Sequence, residues 1–114
     1  MISVLLPFTG KCPYLKEAIE SLLYPFDEQI ELILVDNCGD AASKQLVASV
    51  VQSDQRVRLI QEPVKGIVNA LNTGLNHCKG EYIARMDADD ISLPGRLQNQ
   101  AHYLQSHPEV GLVG

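Results

Sequence analysis

The sequence has no tryptophan, few aromatic residues and no cluster of basic side chains. Phosphate neutralisation needs clustered Lys and Arg, so the dispersed basic residues and the net charge of −5 argue against a nucleic-acid partner. The three cysteines (Cys12, Cys38 and Cys78) include no C-x-x-C pair, and we expect them to be buried free thiols in a reducing compartment. No apolar run approaches the roughly 18 residues of a membrane span. The absences predict a cytoplasmic protein without a transmembrane segment.

The apolar content that is present suffices for one core. Hydrophobic residues make up 46% of the chain and charged residues 20%, which is typical of a folded domain and not of a disordered chain. A chain of 114 residues buries roughly two thirds of the surface that it exposes when unfolded. Complete two-substrate enzymes usually need roughly 200 residues or more. The length therefore predicts one domain but argues against a complete enzyme of that kind.

Short apolar runs alternate with helical patterns along the whole chain. We predict strands over residues 2–6, 31–35, 56–60, 81–86 and 110–113. The first four runs are β-branched or Leu-rich with little polar alternation, as in strands buried on both faces. The first predicted helix has an apolar stripe over 15–23 and ends at Pro25, and the second begins after the N-cap Asp40. The third covers 67–78 and is weakened by Gly74, and the fourth starts at Ser92 with Pro94 in its first turn. This order predicts a three-layer α/β/α domain with a mostly parallel sheet.

Ligands of such sheets bind beyond the carboxyl ends of the strands, and acidic residues concentrate there. The sharpest feature is Asp87-Ala88-Asp89-Asp90, directly after the fourth predicted strand. Three carboxylates repel one another unless a cation lies among them, and Mg²⁺ and Mn²⁺ prefer oxygen ligands. On an extended backbone Asp87 and Asp89 would point to the same side. The alternative is an acidic turn that is solvated or caps the helix near Ser92.

Asp36 follows the second predicted strand and is the next candidate. Its carboxylate could accept hydrogen bonds from a nucleobase or a ribose, or it could cap a helix, although Asp40 is better placed for a cap. No G-x-G-x-x-G, Walker A or G-x-S-x-G pattern occurs. The histidines (His77, His102 and His107) fall on or beside predicted helices, away from the strand ends, which is typical of surface or capping residues.

Taken together and in order, the segments at the strand ends resemble the family 2 inverting glycosyltransferases. The segments are ISVLLP at 2–7, ELILVDN at 31–37, GIVNALNTGL at 66–75, GEYIARMDADD at 80–90, LPGRL at 93–97 and PEVGLVG at 108–114. The resemblance implies a GT-A fold of the nucleotide-diphosphosugar transferase type and a role in polysaccharide biosynthesis. It also implies a nucleotide-sugar donor, usually a UDP-sugar, bound with Mn²⁺ or Mg²⁺.

The resemblance further implies roles for single residues. Those implied for nucleotide-sugar binding are Pro7, Phe8, Thr9, Asp36, Lys65, Gly66, Asp87, Ala88 and Asp90, and those implied for the metal are Asp89 and Asp87. Asp36 would contact the base edge, and Asp90 would lie close to the donor sugar. Two positions depart from the family pattern. Phe8-Thr9-Gly10 replaces the usual hydroxyl, aromatic and Asn residues, and Asn37 stands where many members have a second carboxylate.

No residue of the chain matches the general base of the family, which an inverting displacement needs to deprotonate the acceptor hydroxyl. We therefore expect residues 1–114 to be the donor-binding half of a truncated domain, with the base and the acceptor half beyond Gly114. An open sheet edge could then support a homo-oligomer, and the longer protein could act at the inner face of the membrane. The alternatives are a haloacid-dehalogenase-like phosphotransferase, which Ile91 argues against, and a nucleotide-binding module without catalysis.

Overall fold

A parallel sheet with strand order β3-β2-β1-β4 forms the centre of the computed structural model, which describes residues 1–24 and 29–114. In chain order the elements are β1 (Ile2–Gly10), α1 (Leu15–Leu23), β2 (Ile30–Gly39), α2 (Ala41–Ser53), β3 (Val57–Gln61), α3 (Ile67–Leu75), β4 (Tyr82–Arg85) and α4 (Arg96–Ser106). The chain adds strands on one side of β1 and then returns to place β4 on its other side. The predicted α/β class and parallel sheet are confirmed.

The two central strands are buried on both faces, which explains their uninterrupted apolar runs. Val4 and Leu6 of β1 belong to a core shared with α1, α2 and α4. Leu5 of β1 and Ile33 of β2 face the opposite way and pack against Ala70 of α3. Helices thus cover both faces of the sheet, as the predicted three layers require. The apolar stripe of α1 is buried at every predicted position, namely Leu15, Ala18, Ile19, Leu22 and Leu23.

Two local features of the helices have clear causes. The side chain of Asp40 accepts a hydrogen bond from the Ser43 N–H at 2.9 Å, which confirms the predicted N-cap of α2. Gly74 lies in the interior of α3 because a Cβ atom there would overlap the side chains of Leu5 and Val35. The predicted closure of α1 by Pro25 lies outside the described residues.

The predicted start of the fourth helix is wrong, since α4 begins at Arg96. The N–H of Ser92 donates to Ser21 Oγ on α1 at 2.9 Å, so it is used in a tertiary contact and not in a helix. Gly95 follows with a φ of 83°, a left-handed conformation that α-helical residues do not adopt. Pro94 consequently lies in the turn that precedes the helix and not in its first turn.

The predicted fifth strand is also wrong, because residues 110–113 form no strand. The Val110 N–H donates to the His107 carbonyl in a turn, and Leu112 is 89% exposed. Glycine at 111 and 114 disfavours a strand, and Val110 and Val113 are only half-buried, so little packing stabilises one here. The described part of the chain therefore holds a sheet of four strands.

The cysteines are free but not fully buried, which corrects the expectation of buried thiols. Cys38 is exposed, and Cys12 and Cys78 are half-buried. Burial, followed by the charge of Glu31, raises the pKa of the Cys78 thiol. None of the helices among the described residues is long and apolar enough to cross a bilayer.

Candidate functional site

A cavity of about 220 Å³ lies at the carboxyl ends of β1 and β4, where the strand order reverses. Such switch points are the usual ligand sites of open parallel sheets. The lining residues are Pro7, Phe8, Thr9, Cys12, Asn37, Ile67, Asp87 and Ala88. Two larger grooves, of about 370 and 490 Å³, lie elsewhere and are lined by none of the predicted site residues. The structure thus brings together five predicted residues, namely Pro7, Phe8, Thr9, Asp87 and Ala88.

The acidic segment forms a turn after β4, with the Asp90 N–H donating to the Asp87 carbonyl at 3.2 Å. The predicted extended backbone is therefore wrong. The alternative of a cap on a helix near Ser92 does not hold either, since α4 begins at Arg96. The turn nevertheless lets Asp87, Asp89 and Asp90 each offer an oxygen, with these oxygens all within 4.8 Å of one another. Three exposed carboxylates at this separation suit one hard divalent cation, whose oxygen ligands lie at about 2.0–2.6 Å.

Two arginines fix the path of the chain between β4 and this turn. Arg85 Nη1 donates to Asp87 Oδ1 at 3.1 Å and to the Met86 carbonyl at 3.4 Å. Arg96 Nη2, at the start of α4, donates to the Arg85 carbonyl at 3.1 Å. Arg85 also offsets part of the negative charge of the turn. Sequence reasoning missed both residues because isolated basic residues produce no motif.

Asp36 lies on the α2 side of the sheet and does not line the cavity. Its Oδ1 accepts the Gly39 N–H at 2.8 Å, and its Oδ2 pairs with Lys44 Nζ at 2.5 Å. The residue is only 2% exposed, so its carboxylate serves the connection from β2 to α2. The contact of Asp36 with a base edge stays a prediction.

The neighbouring residue, Asn37, lines the cavity and binds the connection between β3 and α3. Its Oδ1 accepts the Gly66 N–H at 3.0 Å, and its Nδ2 donates to the carbonyls of Glu62 and Val64 at 2.8 and 2.9 Å. Lys65 is exposed on the same connection, and neither Lys65 nor Gly66 lines the cavity. Sequence reasoning treated Asn37 only as a departure from a pattern, although an amide directly after a buried strand was a usable signal.

A buried polar cluster ties the start of β4 to the central strands. Ser3 Oγ donates to Glu31 Oε2 at 2.5 Å and accepts the Gly80 N–H at 2.7 Å, while the Lys79 N–H donates to the same Glu31 oxygen at 2.6 Å. Arg58 Nη1 lies 3.7 Å from Glu31 Oε1. Burial raises the pKa of Glu31, but these hydrogen bonds and the charge of Arg58 together hold it below its ordinary value. The cluster therefore positions the strand that leads into the acidic turn.

The histidines lie on or after helices, as predicted. His77 Nδ1 is 2.9 Å from the Thr73 carbonyl, and His107 Nδ1 is 2.9 Å from the Tyr103 carbonyl. His102 is exposed on α4. None of the three lines the cavity.

A family model described as Glycosyl transferase family 2 matches residues 3–114. The chain belongs to this family. It is similar to the bifunctional glycosyltransferase pgtA of Dictyostelium discoideum, with 41% identity over 130 residues that cover 100% of this chain and 17% of that protein. It is also similar to the amylovoran biosynthesis glycosyltransferase AmsE of Erwinia amylovora, with 36% identity over 119 residues that cover 100% of this chain and 44% of that protein.

Among solved structures, the family 2 chain resembles the mannosyltransferase PcManGT from Pyrobaculum calidifontis in complex with GDP-Man and Mn²⁺. The TM-score is 0.83 and the identity 27%, over 96% of this chain and 33% of that one. This likeness confirms the expected GT-A type of fold. The chain thus spans less than half the length of each of these three proteins. Family membership also favours a glycosyltransferase over the phosphotransferase alternative.

Proposed function

We propose that this chain binds the nucleotide-sugar donor of a family 2 glycosyltransferase. The observation that carries the proposal is that Asp87 belongs both to the wall of the cavity and to the acidic turn. A pocket with an apolar wall and a cluster of carboxylates therefore adjoin each other. A nucleoside diphosphate bound with a divalent cation presents the matching pair, an apolar heterocycle and a charged diphosphate.

The cavity fits the base of the donor. Its volume is below the roughly 300–1,000 Å³ that encloses drug-sized ligands, so it suits one heterocyclic ring and not a whole nucleotide sugar. Pro7 and Ile67 contribute apolar wall, while Thr9 is exposed and offers a hydroxyl. We propose uracil as the base. Guanine is the alternative, since PcManGT was solved with GDP-Man.

The acidic turn would hold the cation, with Asp89 and Asp87 as ligands and Asp90 beside the donor sugar. A bound Mn²⁺ or Mg²⁺ supplies positive charge that stabilises the nucleoside diphosphate as a leaving group. Arg85 pairs with Asp87 and keeps the turn folded before a ligand arrives. The presence of Mn²⁺ in the PcManGT complex supports a divalent cation in general, and we propose this turn as its site.

The proposal extends to the reaction of a full-length family 2 glycosyltransferase. Transfer of the sugar to an acceptor hydroxyl with inversion needs a general base, and we propose that residues outside 1–114 supply it. We also propose cytoplasmic donor binding, which the three free thiols support, and a product in polysaccharide biosynthesis, which the similarity to AmsE supports. Self-association through the open edge of β4 stays a prediction, which sedimentation at several concentrations tests.

Isothermal titration of UDP and of GDP, each with and without Mn²⁺, tests donor binding. We expect one of these nucleotides to bind the chain with Mn²⁺ and to bind at least tenfold more weakly without it. Asp89→Asn should weaken the Mn²⁺-dependent binding at least tenfold, because it removes a charged oxygen ligand. Glu109→Gln removes the same charge at an exposed position outside the site and should leave the affinity unchanged. Equal heats with and without Mn²⁺, or an unchanged affinity in Asp89→Asn, would contradict the proposal.

A further inference from the structure

One side chain holds most of the connection between β3 and α3, residues 62–66, which we call the β3–α3 loop. Asn37 is 3% exposed and uses its whole carboxamide there, with Nδ2 donating to two carbonyls and Oδ1 accepting one N–H. The assignment of the two amide ends is unambiguous, because the carbonyls of Glu62 and Val64 need donors and the N–H of Gly66 needs an acceptor.

A second set of hydrogen bonds holds the β3–α3 loop through the side chain of Glu62, its first residue. Glu62 Oε2 accepts the Val64 N–H at 2.8 Å, and Glu62 Oε1 accepts the Thr73 hydroxyl of α3 at 2.5 Å. These bonds lower the pKa of Glu62, with the bond from Thr73 contributing most. Pro63, Val64 and Lys65 are exposed, so the loop buries little apolar surface. Its conformation therefore depends on polar contacts, and segments of this kind open readily when such contacts are lost.

We propose that Asn37 is a positioning residue: by holding the β3–α3 loop it fixes the start of α3, where Ile67 forms part of the wall of the nucleotide site. The inference rests on the proposed function. Asn37 and Ile67 both line the cavity. The β3–α3 loop, which Asn37 holds, runs directly into Ile67 at the start of α3. A wall that is ordered before binding avoids the entropy cost of ordering it on binding. A carboxylate at position 37 could accept from Gly66 but could donate to neither carbonyl, so this loop requires an amide.

The experiment compares Asn37→Asp and Asn37→Ala with the wild-type chain. Asn72→Asp makes the same chemical change at an exposed position of α3 and serves as the matched control. Hydrogen exchange of the Val64, Lys65 and Gly66 amides measures how often the loop opens. Titration with UDP or GDP in Mn²⁺, whichever binds the wild type, measures the affinity of the cavity for the nucleotide. We expect both Asn37 variants to exchange the Val64 amide at least tenfold faster and to bind the nucleotide at least tenfold more weakly, with strand amides unchanged.

Thr73→Val loosens the second set of hydrogen bonds without touching the cavity, and it should accelerate loop exchange and weaken binding by a smaller factor. The proposal is overturned if the Asn37 variants exchange the loop amides at the wild-type rate. It is also overturned if the loop amides exchange faster but the affinity for the nucleotide is unchanged. If both Asn37 variants fail to fold, Thr73→Val decides, and unchanged exchange and affinity in that variant also overturn the proposal. A wild-type chain that binds neither nucleotide refutes the proposed function instead, while the exchange data still decide whether Asn37 holds the loop.

Discussion

Replacing Ser3 by alanine should destabilise the domain far more than the loss of one hydroxyl suggests. Ser3 is fully buried in β1, where its Oγ donates to Glu31 Oε2 at 2.5 Å and accepts the Gly80 N–H at 2.7 Å. In the variant the Gly80 N–H loses its partner. Glu31 would keep only the Lys79 N–H at 2.6 Å and the more distant Arg58.

The magnitude follows from these two losses. A hydrogen bond to a charged group contributes about 1.5–3 kcal/mol, and an unpaired buried N–H costs about 1–3 kcal/mol. Gly80 is half-buried and water reaches part of this region, so we expect a total cost of about 3 kcal/mol. A domain of this size loses roughly 4 °C of Tm per kcal/mol. The expected decrease in Tm is therefore roughly 12 °C.

The cost of Ser3→Ala should depend on pH through Glu31. Burial raises the pKa of Glu31, but the hydrogen bonds from Ser3 and Lys79 and the charge of Arg58 lower it below the ordinary value of 4.5. Because the folded pKa is the lower one, the stability from the ionised carboxylate is complete above pH 4.5 and is lost as the pH falls through the folded pKa. The difference in the free energy of unfolding between the wild type and Ser3→Ala should accordingly become smaller below pH 4.5.

Urea unfolding followed by circular dichroism measures this free energy at pH 7 and at pH 4. Ser49→Ala is the control, since Ser49 is exposed on α2 and its hydroxyl bonds only the Gln45 carbonyl of its own helix. The control should stay within about 0.5 kcal/mol of wild type. A cost for Ser3→Ala no larger than that of the control would refute the reasoning.

The remaining predictions concern the packing of α3 and the cavity. Gly74→Ala would stabilise an isolated helix by about 1 kcal/mol, but the overlap with Leu5 and Val35 should destabilise the domain by about 1–3 kcal/mol. Thermal unfolding measures this change, and a higher Tm would contradict the packing. Because Cys12 lines the cavity and Cys38 does not, nucleotide with Mn²⁺ should slow alkylation of Cys12 by iodoacetamide several-fold and leave Cys38 unchanged. Mass spectrometry measures both rates, and no protection of Cys12 would place the nucleotide elsewhere.

Local patterns were sufficient for much of the fold. The uninterrupted apolar runs of β1 and β2 predicted buried strands, because both faces of the sheet are covered by helices. Asp40 predicted the start of α2, because an N-cap depends on residues three positions apart. The start of α4 was not predictable in this way, since it depends on a hydrogen bond to Ser21, 71 residues earlier in the chain.

The sequence by itself determined the order of the first four strands and the helices between them, the family and the position of the acidic segment, because each is a matter of short segments read in order. Only the tertiary structure decided which of the two adjacent residues Asp36 and Asn37 of β2 reaches the cavity. It places Asn37 there and Asp36 against Lys44. It also decided that Ser3 and Gly80, 77 residues apart, share a hydrogen bond. The reason is the strand order β3-β2-β1-β4, which makes residues far apart in the chain into neighbours and which no local pattern contains.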